Sequence, residues 1–276
     1  MNSSLQRIIR PLLITLTALW VPAACVVSAA HAQGIDVGKP SIMRNLVPAK
    51  QIEGQATQQY GQLLKQAATQ QALAPDNHPQ VQRLRAIAQK LIPFAERYNP
   101  RAKEWRWEVN LIGSKSINAF CMPGGKIAFF TAILDQLKLT DDEVAMVMGH
   151  EIAHALREHA RERMAKSVAT DLGASLLGEF VGGGKYTSLF RVGGDLLTLK
   201  FSRSDESEAD LVGLDLAARA GFDPRAGVTL WQKMAAANKG GQLEFLSTHP
   251  SGEHRIREIE DQLPKVMPIY KGTRGS

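Results

Sequence analysis

Two histidines four residues apart, with a glutamate beside the first, constrain this chain more than any other feature: His150-Glu151-Ile152-Ala153-His154. On an α-helix, positions i and i+4 share a face, so both imidazoles can reach one metal ion. Glu151 is placed to touch a water beside such an ion rather than the ion itself. Two neutral imidazoles plus a carboxylate suit Zn2+, with a fourth position left open. The motif needs a helix, and the residues before it start one. Thr140 can cap, Glu143 sits at the reciprocal position, and Asp141, Asp142 and Glu143 suit the positive end of the dipole. Val144, Met146, Val147 and Met148 carry the apolar stretch into the motif, and the helix is expected to run to about residue 166. The bland alternative is a capped helix with two buried, hydrogen-bonded histidines.

A third ligand must come from elsewhere. His159 lies five residues past His154, about 500° round a continuous helix, and so points away from the ligand face. It reads as a solvated helix residue. The longer pattern with a glycine and a third histidine fails, because Arg157 and Ala160 stand at those places. The acidic run 202–210, Ser-Arg-Ser-Asp-Glu-Ser-Glu-Ala-Asp, is the better source. Glu206 and Asp210 are four apart and share a helical face. Glu206 can ligate while Asp210 reaches a ligand from behind. Glu208 is turned about 200° from Glu206, so both cannot ligate. An acidic, solvated helix face is the competing reading of this run.

Taken together, H-E-x-x-H and the later S-R-x-x-E-x-E-A-D resemble the zinc metalloendopeptidases of the HtpX, BepA and LoiP type, related to the CAAX prenyl endopeptidases. The resemblance spans about residues 80–263. It is carried by Asn118-Ala119-Phe120 with Pro123-Gly124-Gly125, by 150–154, by 202–210, and by Thr248-His249-Pro250 with Arg255. It implies a gluzincin-type set in which His150, His154 and Glu206 hold one Zn2+ and Glu151 moves the proton. It implies an outer or proton-donating role for Asp210. By the same resemblance His249 approaches the metal, as a fourth ligand that plugs the resting site or as an oxyanion stabiliser, and Arg255 stabilises developing negative charge. Residues alone make His249 a loop histidine before proline. Asn118, Ala119 and Phe120 resemble the edge strand on which an extended peptide is laid, where backbone pairing gives little sequence preference. No membrane spans flank the catalytic helix and no helical repeats follow residue 263, so a compact, LoiP-like layout is expected.

The rest of the chain is read by pattern. Arg7 and Arg10 precede an apolar stretch that ends in Ala30-His31-Ala32, the layout of a secretory signal peptide, residues 1–32. A retained transmembrane anchor is one alternative, and a lipoprotein anchored through Cys25, weakened by Pro22, is another. Residues 33–77 form a Gln/Ala-rich segment with a thin apolar stripe over 51–74. Val81, Leu84, Ile87, Ala88, Leu91 and Ile92 predict a helix over 80–98. Strands are expected over 105–111, near 118–122 and over 126–131. Further helices are expected over 203–220, 224–237 and 253–263, with a tail over 266–276. Helices outnumber strands, so the expected class is α+β, mainly helical, with a small antiparallel sheet beside the H-E-x-x-H helix. The metalloprotease domain is expected over 78–265.

Composition narrows function. Hydrophobic residues make up 44% and charged residues 22% of the 276, which excludes bulk disorder and a polytopic membrane protein. The net charge of +6 falls to +4 without Arg7 and Arg10, and the basic residues are interspersed with acids, so nucleic acid is not an expected partner. The expected function is periplasmic hydrolysis of unfolded or misassembled envelope proteins. The rival is a chaperone-like factor of the outer-membrane protein assembly machinery with a latent protease site. The apolar, glycine-rich stretch 172–196 is read as a lid, a peripheral membrane contact or a packed helical hairpin.

Overall fold

Thr140 does cap the helix that carries the histidine motif, and the rest of the fold is arranged around that helix. The computed structural model describes residues 34–179, 196, 199–238, 243–249 and 253–274. The expected signal segment with Cys25, most of the stretch read as a lid or membrane contact (180–195), and Pro250 lie outside them.

Helix α1 (Ala49–Thr69) buries Ile52, Ala56, Tyr60 and Ala67. The stripe is thin but sufficient, because Tyr60 is nearly fully buried and its hydroxyl donates to the Ile127 carbonyl at 2.5 Å. Helix α2 (Pro79–Leu91) buries Val81, Leu84, Ile87, Ala88 and Leu91, the face the periodicity predicts. It stops short of residue 98. A 3-10 turn, Ile92–Arg97, takes over at Pro93, whose nitrogen has no hydrogen to continue the α-helical ladder.

Strands β1 (Glu108–Ile112), β2 (Ala119–Met122) and β3 (Lys126–Phe130) form a sheet in the order β1-β3-β2. The sheet is mixed rather than wholly antiparallel: β2 and β3 form an antiparallel hairpin, and β1 pairs with β3 in parallel. The hairpin turns through Gly124 (φ 87°) and Gly125 (φ 79°), a conformation that favours glycine. Its second strand then inserts between the other two, which leaves β2 on the sheet edge.

Helix α3 (Thr131–Leu137) leads to α4 (Asp141–Leu156), which is buried from Glu143 to Leu156 without a break. Its start is the expected capping box: Thr140 accepts from the Glu143 amide at 3.3 Å, and the Glu143 carboxylate accepts from the Thr140 amide at 2.8 Å. Lys233 and Thr229 hold the same carboxylate. Thr140→Ala is expected to cost about 1 kcal/mol. A fall in the urea midpoint at unchanged slope would register it.

Helix α4 does not run to residue 166. It ends at Leu156, Glu158 adopts a left-handed backbone (φ 59°), and α5 (His159–Glu179) starts in a new direction. Helix α6 (Arg203–Arg219) opens on a second capping box, Ser202 with Asp205, and packs along α4. Helices α7 (Ala226–Ala237), α8 (Glu244–Thr248) and α9 (Glu253–Arg274) complete that side. The residues expected to form a tail instead continue α9, past Pro264 and Pro268, because Val266 and Tyr270 extend its buried face beyond Ile259.

Contact between α4 and α6 is made by backbone. Gly149 and Gly213 face each other so closely that a Cβ on Gly213 would lie 2.7 Å from the His150 nitrogen. Two helices can approach this closely only where neither carries a side chain.

Candidate metal centre

His150 and His154 lie one turn apart on α4, with their Nε2 atoms 3.1 Å from each other. Glu206, on the first turn of α6, faces both. Its carboxylate oxygens lie 3.5 Å from His150 Nε2 and 3.4 Å from His154 Nε2. His249, at the end of α8, brings a fourth donor. The four ligand atoms lie within 4.8 Å of one another, and all four residues are buried.

The electrostatics suit a cation. Burial pushes the His150 imidazole down despite Asp210, and it pushes His154 and His249 well below the usual range, helped in both by His150. Burial thus favours the neutral imidazole, the form that ligates a metal. Burial lifts Glu206 to about 8 in spite of Arg255, and burial with Glu206 nearby lifts Glu151 well above the carboxylate range. Several of these atoms have no hydrogen-bond partner: Glu206 Oε1, Glu151 Oε1 and His249 Nε2. Buried polar atoms are rarely left so. Their convergence on one point is what a metal ion and its water would satisfy, so the residues present fit such a group.

Behind the donors lies a second layer. Asp210, one turn along α6 from Glu206, accepts from His150 Nδ1 at 3.0 Å. Arg255 grips Asp210 with two nitrogens, at 2.6 and 2.7 Å, and reaches Glu206 at 2.8 Å. Its guanidinium carbon sits 3.6 Å over the Trp231 ring. Burial opposes ionisation of Asp210, but Arg255 and His150 outweigh it and hold Asp210 at about 2. Asp210 thus takes the outer of its two expected places, behind His150. The contacts described for Arg255 are with Asp210, Glu206 and Trp231, behind the donors rather than among the residues that line the cleft. Together they fix the His150 ring from behind.

The cleft opens on the other side of the donors. Asn118, Ala119 and Phe120 line it together with Glu151, His154 and His249. The strand expected to receive a peptide is thus the sheet edge beside the histidine motif, and the Cys121 backbone hydrogen-bonds to Glu151. Leu199 and Phe201 add apolar wall, and Phe201 stacks on His154 at 4.0 Å between centroids. His249 Nε2 faces Glu151 Oε1 at 3.7 Å, and its ring stacks on Phe245.

His159 is the residue that sequence reasoning misplaced. It is not solvated but 2% exposed, with Nδ1 only 2.9 Å from His154 Nδ1. The extrapolation at 100° per residue fails because the helix breaks at Arg157 and Glu158. Glu208 turns away from the donors, as expected, and meets Arg157 and His159.

The chain is similar to known proteins. The mitochondrial metalloendopeptidase OMA1 of Saccharomyces cerevisiae is 34% identical over 215 residues, 74% of this chain and 61% of that protein. OMA1 of Schizosaccharomyces pombe is 36% identical over 197 residues, covering 71% and 56%. The metalloprotease LoiP of Escherichia coli is 29% identical over 194 residues, covering 69% and 73%. The chain thus spans about 60% of the length of these OMA1 relatives. The model of peptidase family M48 matches residues 78–263, from the start of α2 into α9 and across every donor described above. By that match the chain belongs to peptidase family M48.

Proposed function

We propose that this chain is a zinc-dependent endopeptidase that hydrolyses unfolded or misassembled proteins of the bacterial envelope. The observation that carries the reading is the convergence of unpartnered, buried Glu206, Glu151 and His249 atoms beside two neutral imidazoles. In this reading His150, His154 and Glu206 hold Zn2+, whose donor set of two imidazoles and one carboxylate is the usual one for hydrolytic zinc. When bound, the ion would polarise a carbonyl and make water acidic. Glu151 takes the proton of the attacking water and delivers it to the leaving amine. His249 is the neutral group best placed beside the developing oxyanion. Asp210 and Arg255 keep His150 oriented. An extended substrate pairs with the outer edge of β2 at Asn118, Ala119 and Phe120, through backbone groups that every peptide has. That mode selects unfolded chains over folded ones.

Location rests on the charged, apolar and small-residue succession of residues 1–32. No helix among the described residues is long and apolar enough to cross a membrane. OMA1 is by name mitochondrial and also a metalloendopeptidase, so the site's architecture does not dictate the compartment. A second reading is favoured by His249 itself. As a fourth donor it would close the site at rest, in keeping with a chaperone-like assembly factor that cleaves only when His249 withdraws.

Casein digestion with metal counting tests the proposal. Wild-type protein is expected to cleave casein and carry one zinc per chain, and Glu206→Ala to lose both. Absence of zinc from the wild type would overturn the reading. Zinc without cleavage would favour the latent state.

A further inference from the structure

We infer that His159 is a positioning residue for His154, and that Glu208 acts through it to orient that ligand. The inference rests on the metal-site reading above. His154 turns Nε2 toward His150 and Glu206. A neutral imidazole that offers its Nε2 lone pair to a metal must carry its proton on Nδ1. His154 Nδ1 lies 2.9 Å from His159 Nδ1, so His154 donates and His159 accepts. The His159 proton is then on Nε2, which faces Glu208 Oε2 at 3.3 Å. Glu208 is in turn paired with Arg157, which is 5% exposed and also donates to the Gly38 carbonyl. Every hydrogen-bond direction in the chain follows from the first.

The two ligand histidines are therefore held by parallel devices. His150 meets a carboxylate gripped by arginine, Asp210 with Arg255, directly. His154 meets another, Glu208 with Arg157, through an intervening imidazole. Both carboxylates come from α6, two residues apart, and so from opposite sides of that helix. Partners of this kind fix the tautomer and ring orientation of a ligand, and removing one typically weakens metal binding about 10–100-fold. His159 is not among the residues that line the cleft.

The test uses the full chain with three proteins: wild type, His159→Phe, which keeps the ring volume but removes the acceptor, and His159→Gln, which restores an acceptor oxygen. Zinc affinity is read by chelator competition. His159→Phe is expected to bind about 10–100-fold more weakly, with His159→Gln recovering most of the loss. Affinity unchanged in His159→Phe, or equal losses in both variants, would overturn the inference, since packing alone predicts no rescue. Nitrogen-15 spectra of zinc-loaded wild type give a second readout that requires no variant to fold. His159 is expected as the Nε2–H tautomer, its Nδ1 accepting from His154, and an Nδ1–H tautomer there would overturn the relay. A wild type that binds no zinc would overturn the metal-site reading itself, a failure distinct from zinc affinity left unchanged in His159→Phe.

Discussion

Glu151→Gln should abolish peptide hydrolysis and leave both fold and metal in place. General acid–base catalysis by a positioned side chain is worth about 10²–10⁴ in rate, so a fall of about 10³-fold in kcat is expected, equal to about 4 kcal/mol of barrier. The structure explains why the loss should be confined to chemistry. Glu151 is 2% exposed, its Oε1 has no hydrogen-bond partner, and its carboxyl is pushed far above the usual range by burial and by Glu206. Burial and Glu206 thus both disfavour its charged form in the metal-free protein. A neutral amide of the same shape costs no buried charge, so metal-free stability should be equal or higher. Zinc counting, urea unfolding and casein digestion on one preparation check the three limbs. Wild-type turnover in Glu151→Gln would remove Glu151 from the mechanism. Loss of zinc would show that its carboxylate helps to hold the metal.

What could be read beforehand follows a physical division. His150, Glu151 and His154 were legible because a single helix fixes their relation, and the capping box at Thr140 marks where that helix begins. Glu206 and Asp210 were legible as a pair for the same reason. The role of Arg255 was not. Its position depends on how α9 lies against α6, and side-chain spacing along the chain says nothing about that approach. His159 was misread because Glu158 takes a left-handed backbone without being glycine, so the break carries no residue signature. The mixed sheet was hidden for a related reason: strand content is local, whereas insertion of β3 between β1 and β2 is a matter of topology. The extension of α9 was obscured by two prolines, although Ile259, Val266 and Tyr270 already recur at helical spacing.

Gly213→Ala is expected to damage the metal site from outside it. Glycine in a helix interior is ordinarily a weakness, and alanine there gains about 1 kcal/mol. That expectation should hold at Gly61 in α1, where an added Cβ meets nothing within 4 Å. At Gly213 the same atom would lie 2.7 Å from His150 N, 2.9 Å from Gly149 C and 3.1 Å from His150 Cα. All three are backbone atoms of a buried helix and cannot swing aside. Overpacking of this kind costs about 1–3 kcal/mol, which offsets the propensity gain or outweighs it, so the variant should be destabilised by up to about 2 kcal/mol. The effect on function should be larger than the effect on stability. Glu206 and Asp210 lie seven and three residues before Gly213, on the face that meets α4. Any separation of the helices moves both carboxylates away from His150 and His154. Misplacement by about 1 Å can cost 10²-fold in rate, and a loss of at least that size is expected, together with weaker zinc binding. Gly61→Ala and Gly213→Ala, compared for urea midpoint, zinc affinity and casein digestion, separate helix propensity from helix approach. If Gly213→Ala were stabilised like Gly61→Ala and kept its zinc, backbone contact between α4 and α6 would not be what sets the distance from carboxylate to imidazole.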